Sequence, residues 1–181
     1  MVSLGSRGRS DPQDKQKGNV VKGWSVESTV KWMGYAPLLK HAKCAQRLGW
    51  VLGNVLRIAS LEINKGLLRG HVFEFFEKCL NEKEVELQLT ILAALANFAL
   101  SDALPHEVGT ALVQSGLLEK MSSMLLAPAT NDQVKMRIAT TLANLTTMET
   151  AQREMKGTPV LKALLQTATA HSLSLDLRQK A

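Results

Sequence analysis

One residue type recurs at a fixed register in three long apolar stretches, and this recurrence constrains the fold more than any other feature of the chain. Aligning the stretches on Asn54, Asn97 and Asn144 gives intervals of 43 and 47 residues. Two- and three-helix repeats have periods of about 40–47 residues. The flanking positions agree with one another. Ten residues before each Asn stand Cys44, Leu87 and Val134; six before stand Leu48, Ile91 and Ile138; two before stand Leu52, Leu95 and Leu142. The residue just before is small each time (Gly53, Ala96, Ala143), and the residue just after is apolar (Val55, Phe98, Leu145). Steps of four place the first three rows along one helical face. That face is the expected core face, and the small residue beside each Asn lets a neighbouring helix come close. A single repeat cannot bury such a face, whereas stacked neighbours bury it jointly. The pattern therefore predicts an all-α solenoid of about three repeats.

The rest of the chain fits helices better than strands. Leu and Ala are abundant and aromatics make up only 4%, a balance that favours helix formation. Apolar residues recur at three and four, not at two. Long helices are expected over about 37–60, 83–101 and 132–147, with shorter ones starting near Gly70, Gly116 and Gly157. Ser25 is a candidate cap for a short helix through Met33, Gly34 ends it, and Pro37 suits the first position of the next. The expected organisation is a disordered basic tail over 1–23, a capping helix or partial repeat over 24–36, repeats over 37–168 and a C-terminal cap or tail over 169–181. Trp24, Trp32 and Tyr35 are expected to seal the first end of the array or to anchor a partner. Leu173, Leu175 and Leu177 offer a short cap at the other end.

Composition excludes several function classes. The net charge is +6, and seven bases against three acids within residues 1–40 account for most of it. Such a tail is either a solvated lead-in or a means of attracting nucleic acid, an acidic protein or a membrane surface. Cys44 and Cys79 have neither metal spacing nor a disulfide framework, which points to a reducing compartment. Both are expected to be buried and inert, Cys44 by its place on the core face. His41, His71, His106 and His171 form no metal pair. There is no phosphate-binding glycine loop and no nucleophile elbow. Glu82, Glu84 and Glu86 suit a helix start better than acid–base work. No catalytic residue, metal or other cofactor is expected, and no enzymatic activity. The longest apolar run, Ile91 to Leu100, is interrupted by Asn97 and falls short of the roughly 18 residues of a membrane span. With no secretory leader in sight, the expectation is a cytoplasmic protein, with the nucleus as a further location.

Several segments carry a family resemblance. "LAALANFAL", "IATTLANLTT" and, more loosely, "WVLGNVLRIAS" resemble the third helix of armadillo repeats. "GLLEKMSSML" and "GTPVLKALL" resemble the glycine and second helix of the following repeat, and Gly116 and Gly157 stand 41 residues apart. The resemblance covers about residues 40–168. It implies a right-handed solenoid whose third helices line a concave groove. In armadillo proteins the helix Asn bonds the backbone of an extended peptide, so the resemblance gives that role to Asn54, Asn97 and Asn144. Trp50, four residues before Asn54, is similar to the Trp-x-x-x-Asn pairs of importin-type carriers. The equivalent residues in the other copies are Ala93 and Thr140.

The residues themselves leave two readings of the asparagines open. Asn costs some tenths of a kcal/mol in mid-helix relative to Ala, and a buried unpaired amide costs about 1–3 kcal/mol more. Three copies at one register therefore have a purpose: binding a ligand, or bonding a loop carbonyl of the adjacent repeat. The row seven residues before each Asn, Arg47, Thr90 and Arg137, shares its face, and Lys43 lies a turn before Arg47. This predicts a neutral-to-basic groove that prefers an acidic extended segment. The functional expectation is a scaffold or adaptor that binds a protein or peptide. The alternatives are an importin-like carrier of a localisation signal, and a structural subunit or shortened form of a longer array. No small-molecule or nucleic-acid ligand is expected, and self-association through an open end is a further option.

Overall fold

The computed structural model describes residues 25–34, 40–100 and 107–169. The basic tail over 1–23, Trp24, Tyr35, Pro37, His106 and everything from 170 onward, including His171, Leu173, Leu175 and Leu177, lie outside them. Among the described residues there are ten α-helices: α1 Val26–Met33, α2 Ala42–Ile58, α3 Leu61–Arg69, α4 Val72–Asn81, α5 Val85–Ala99, α6 Val108–Gln114, α7 Leu117–Leu126, α8 Asp132–Leu145, α9 Glu149–Met155 and α10 Val160–Thr169. None of the described residues lies in a strand.

The helices stack in ladders. The long helices α2, α5 and α8 pack side by side in that order; α4 packs on α7 and α7 on α10; α6 packs on α9. Two complete triplets, α3–α5 and α6–α8, lie between the α1–α2 and α9–α10 pairs. This is an all-α solenoid, and the asparagine-bearing helices form one of its layers.

Local chemistry sets the helix ends. Ser25 starts α1 with a reciprocal capping box: its Oγ accepts the Ser28 N–H at 3.0 Å, while Ser28 Oγ accepts the Ser25 N–H at 3.3 Å. Asn131 starts α8 by accepting the Gln133 N–H at 2.9 Å. The stretch expected as one helix over about 37–60 is continuous but shorter among the described residues: α2 runs from Ala42 to Ile58, the backbone turns extended at Ala59, and Ser60 then caps α3 by accepting the Ile63 N–H at 3.5 Å. The sequence reading did not separate α3, α6 and α9. They are only 9, 7 and 7 residues long, too short for periodicity to stand out. The turns into α4 and α7 each need a left-handed residue. Gly116 supplies it at φ 72°, but in the earlier turn His71, not Gly70, takes the role at φ 61°. The His71 ring meets Glu74 Oε1 at 2.8 Å, which helps hold an unfavourable backbone state.

The expected core register holds in α5 and α8. Leu87, Ile91, Leu95 and Phe98 are buried, as are Val134, Ile138, Leu142 and Leu145. In α2 it is rotated. Ala45, Gly49, Leu52, Gly53 and Leu56 are buried there, whereas Leu48 and Val55 are half-buried. Cys44 is exposed, not buried as its register predicts. The cause is position in the ladder. α5 is packed on both sides, by α2 and α8, while α2 has only α5 beside it among the described long helices. The residues of α2 equivalent to those that α5 turns toward α2 therefore have less to pack on.

Close approach of α2 and α5 depends on two glycines one turn apart. A Cβ on Gly53 would lie 2.9 Å from Ala94 Cα and 3.0 Å from Ala94 Cβ; one on Gly49 would lie 2.7 Å from Ile91 Cδ1. Within a triplet, Phe73 of α4 meets Phe98 of α5 edge-on at 5.3 Å between ring centroids. At the last described helix this cover is missing: Leu161 and Leu165 of α10 are 52% and 66% exposed.

Gly53→Leu should lower stability by about 1–3 kcal/mol, the usual cost of overpacking, because the contacted atoms include backbone. Gly157→Ala, with nothing within 4 Å of the added carbon, should be near neutral. Thermal melts of the two variants check the contrast.

Candidate partner-binding groove

The α2–α5 contact creates a groove on the asparagine face. A cavity of about 300 Å³ is lined by Gly49, Trp50, Gly53 and Asn54 of α2 and by Leu89, Thr90, Ala93, Ala94 and Asn97 of α5. Three of the sequence-predicted site residues, Trp50, Asn54 and Asn97, thus meet at one place. The glycines make this possible: without side chains they form a floor, and Trp50 forms one wall. Trp50 is 66% exposed, a high value for a residue of its size and hydrophobicity.

The two amides are differently engaged. Asn97 Nδ2 donates across the helix pair to the Gly53 carbonyl at 3.3 Å. Asn54 Nδ2 donates within its own helix to the Trp50 carbonyl at 2.9 Å. For Asn97 the partner does lie in the adjacent repeat, but it is a helix carbonyl and not the loop carbonyl expected. Each bond uses one amide N–H. The second N–H and the Oδ1 of each side chain carry no hydrogen bond among the described residues. Asn54 is exposed and Asn97 half-buried, so both keep donor and acceptor capacity at the groove.

Asn144, Arg47 and Arg137 lie away from the cavity lining. Asn144 is half-buried on α8 and makes no side-chain hydrogen bond among the described residues. The α5–α8 link runs instead through Thr141, a buried residue whose hydroxyl lies 3.2 Å from the Leu92 carbonyl and 2.8 Å from the Arg137 carbonyl of its own helix. Arg47 and Arg137 are exposed. Neither they nor Lys43 form an ion pair among the described residues. Sequence reasoning missed Gly49 and Thr141. The Gly49–Gly53 spacing of four was a usable signal for the first. Nothing local marks Thr141, because its function depends on a helix 49 residues away.

Little else resembles reactive chemistry. Among the described residues no group of three His, Cys, Asp or Glu is placed to hold a metal ion, and no helix is long and apolar enough to cross a membrane. Burial, with a smaller contribution from the Glu82 carboxylate, pushes the Cys79 thiol up from 9.0 to about 12. A protonated, buried thiol is a poor nucleophile.

The wider comparisons agree with this architecture. A comparison with protein-family models gives no match, and a comparison with curated proteins gives none. Solved structures do match. An engineered protein superposes with a TM-score of 0.65 at 21% identity over 86% of this chain, and a second with 0.64 at 19% over 87%. A structure of computationally designed armadillo repeat proteins for modular peptide recognition superposes with 0.63 at 15% identity over 86% of this chain. The chain spans about three fifths of these structures, from 58% to 61% of their length. At such identities the likeness concerns the fold, and the chain has an armadillo-type repeat fold.

A thiol reagent near neutral pH should label Cys44 in the folded protein and Cys79 only after unfolding. The raised Cys79 pKa also has a sign for stability. Between pH 9 and about 12 the unfolded thiol loses its proton while the folded one keeps it, so the unfolded state binds fewer protons and stability falls as pH rises through that window. Denaturant midpoints measured across it, with Cys79→Ala as the control, check this.

Proposed function

We propose that this protein is a non-enzymatic scaffold or adaptor that captures an extended peptide in the groove between its asparagine-bearing helices. The observation that carries the reading is the convergence of an exposed Trp50 with Asn54 and Asn97 around one cavity of about 300 Å³. A large aromatic beside amides with spare donors and acceptors suits a ligand that offers both side chains and backbone N–H and C=O groups. The similarity to repeat proteins designed for modular peptide recognition points the same way. Lys43, Arg47 and Arg137 give the groove a basic edge, so the preferred ligand is acidic. Asn144 extends the site along α8. The two cysteines, both free, suit work in a reducing compartment such as the cytoplasm.

The test is a peptide selected from a random library on the wild-type protein, with binding followed by fluorescence anisotropy. Trp50→Ala should weaken binding at least tenfold, about 1.4 kcal/mol, as expected for an aromatic anchor. Its melting transition should hardly move, since exposed substitutions away from special features stay within about 0.5 kcal/mol. Asn97→Ala should weaken binding and also cost roughly 1 kcal/mol of stability through the lost bond to Gly53. If both variants bind like wild type while Asn97→Ala still loses stability, the asparagines serve the array alone and the groove reading fails.

A further inference from the structure

The groove has two chemically different edges, and both follow from one stripe along each long helix, exposed throughout on α2 and half-buried in its middle on α5 and α8. On α2 the stripe runs Lys43, Arg47, Trp50, Asn54, Ile58, in steps of three and four that keep to one face. On α5 it runs Glu86, Thr90, Ala93, Asn97 and reaches Leu100 at the C-cap, and on α8 it runs Gln133, Arg137, Thr140, Asn144, with Thr147 in the turn just beyond. On one side of the asparagines lie Lys43, Arg47 and Arg137 with a single acid in those rows, Glu86. On the other side lie Ile58, 79% exposed, and Leu100, 62% exposed.

The two aliphatic residues share a level. Between α2 and α5 the close neighbours are Gly49 with Ile91, Gly53 with Ala94 and Asn97, and Gln46 with Thr90. These offsets of 41 to 44 residues put Ile58 abreast of Leu100. An aliphatic ridge therefore ends the first two helices. At a rise of 1.5 Å per residue, Arg47 lies about 10 Å along the axis from Asn54, and Ile58 about 6 Å on the other side. The far edge suits a salt bridge between two long side chains, and the near edge suits a short aliphatic contact.

A ligand crossing the three helices at the asparagine row has one flank toward each edge. In an extended strand successive side chains point to opposite sides. We infer that the groove is built for an extended segment whose residues alternate between acidic and aliphatic, the acids toward Arg47 and Arg137 and the aliphatics toward Ile58 and Leu100. Trp50 lies between the edges and packs on the aliphatic parts of either set. Crossing from α2 to α8 means two interhelix steps of about 8–10 Å, or five to six residues at about 3.3 Å each. This inference rests on the groove reading above and adds to it the order of residues in the ligand, not merely their charge.

Three labelled octapeptides test it by fluorescence anisotropy on the whole chain: alternating Glu–Leu, four Glu followed by four Leu, and alternating Lys–Leu. Alternating Glu–Leu should bind at least tenfold more tightly than the block peptide of the same composition, and alternating Lys–Leu should be weakest. Ile58→Ser/Leu100→Ser, both on the surface, should leave the melting transition in place and remove the preference for alternation; Ile58→Ser alone should reduce it. Arg47→Glu/Arg137→Glu should reverse the preference toward Lys–Leu. If the alternating and block peptides bind equally while Trp50→Ala weakens both, the groove stands and the two-edge inference falls. If none of the three binds while a library-selected peptide does, the two-edge inference falls and the groove stands; if the library also yields none, both fall. A bound peptide that becomes helical by circular dichroism overturns the extended ligand. A dimer of the chain undone by Ile58→Ser/Leu100→Ser assigns the ridge to a second copy and overturns the inference as well.

Discussion

The near-contact of α2 with α5 at Gly49 and Gly53 is the constraint on which the rest of the structure depends. Gly53 faces the backbone of Ala94 so closely that a single added carbon would collide with it. That approach brings Asn97 within hydrogen-bond range of the Gly53 carbonyl and puts Trp50 beside Ala93 and Asn97 around one cavity. It also fixes the offset that aligns Ile58 with Leu100. The energetic weight lies in the packing. Burying one Leu or Phe contributes about 1.5–3 kcal/mol, and α5 buries Leu87, Ile91, Leu92, Leu95 and Phe98. A neutral hydrogen bond such as Asn97 to Gly53 adds only about 0.5–1.5 kcal/mol net. The bond reports the register more than it creates it.

The next step of the ladder solves the same problem differently. In the α5–α8 step the residue in the register of Gly53 is an alanine, Ala96, and the cross-helix contact comes from the Thr141 hydroxyl, 3.2 Å from the Leu92 carbonyl. Asn144 is left without a bond of the kind Asn97 makes. The groove is thus not three copies of one site. Its first pair of helices carries the aromatic wall, the glycine floor and the aliphatic ridge, while the third supplies Arg137 and a polar end at Thr147. The exposed chemistry of this surface therefore changes from one helix to the next, and the proposed selection of an extended ligand rests on that difference.

Much of this was legible from residue order. The core rows at α5 and α8, the caps at Ser25 and the three long helices follow from spacing, because an amphipathic helix writes its buried face at intervals of three and four. The rows failed at α2 for a reason that spacing cannot carry. Cys44 has the register of Leu87 and Val134, yet among the described residues no long helix precedes α2 as α2 precedes α5 and α5 precedes α8, and the same position is exposed. His71 in a left-handed turn was likewise hidden, since the adjacent Gly70 gave the stronger local signal. The first helices of the triplets were hidden by their brevity.

By itself the sequence determined that this chain stacks helices, which faces they bury, and that an asparagine stands at a fixed place on each long one. Those are properties of a single helix, set by side-chain volume and the 3.6-residue turn. Only the tertiary structure decided which of those asparagines line one cavity, that Trp50 stands exposed beside them, and which residues of neighbouring helices lie abreast. These depend on the offset and separation between helices more than 40 residues apart in the chain, and close packing across the glycine contact sets both.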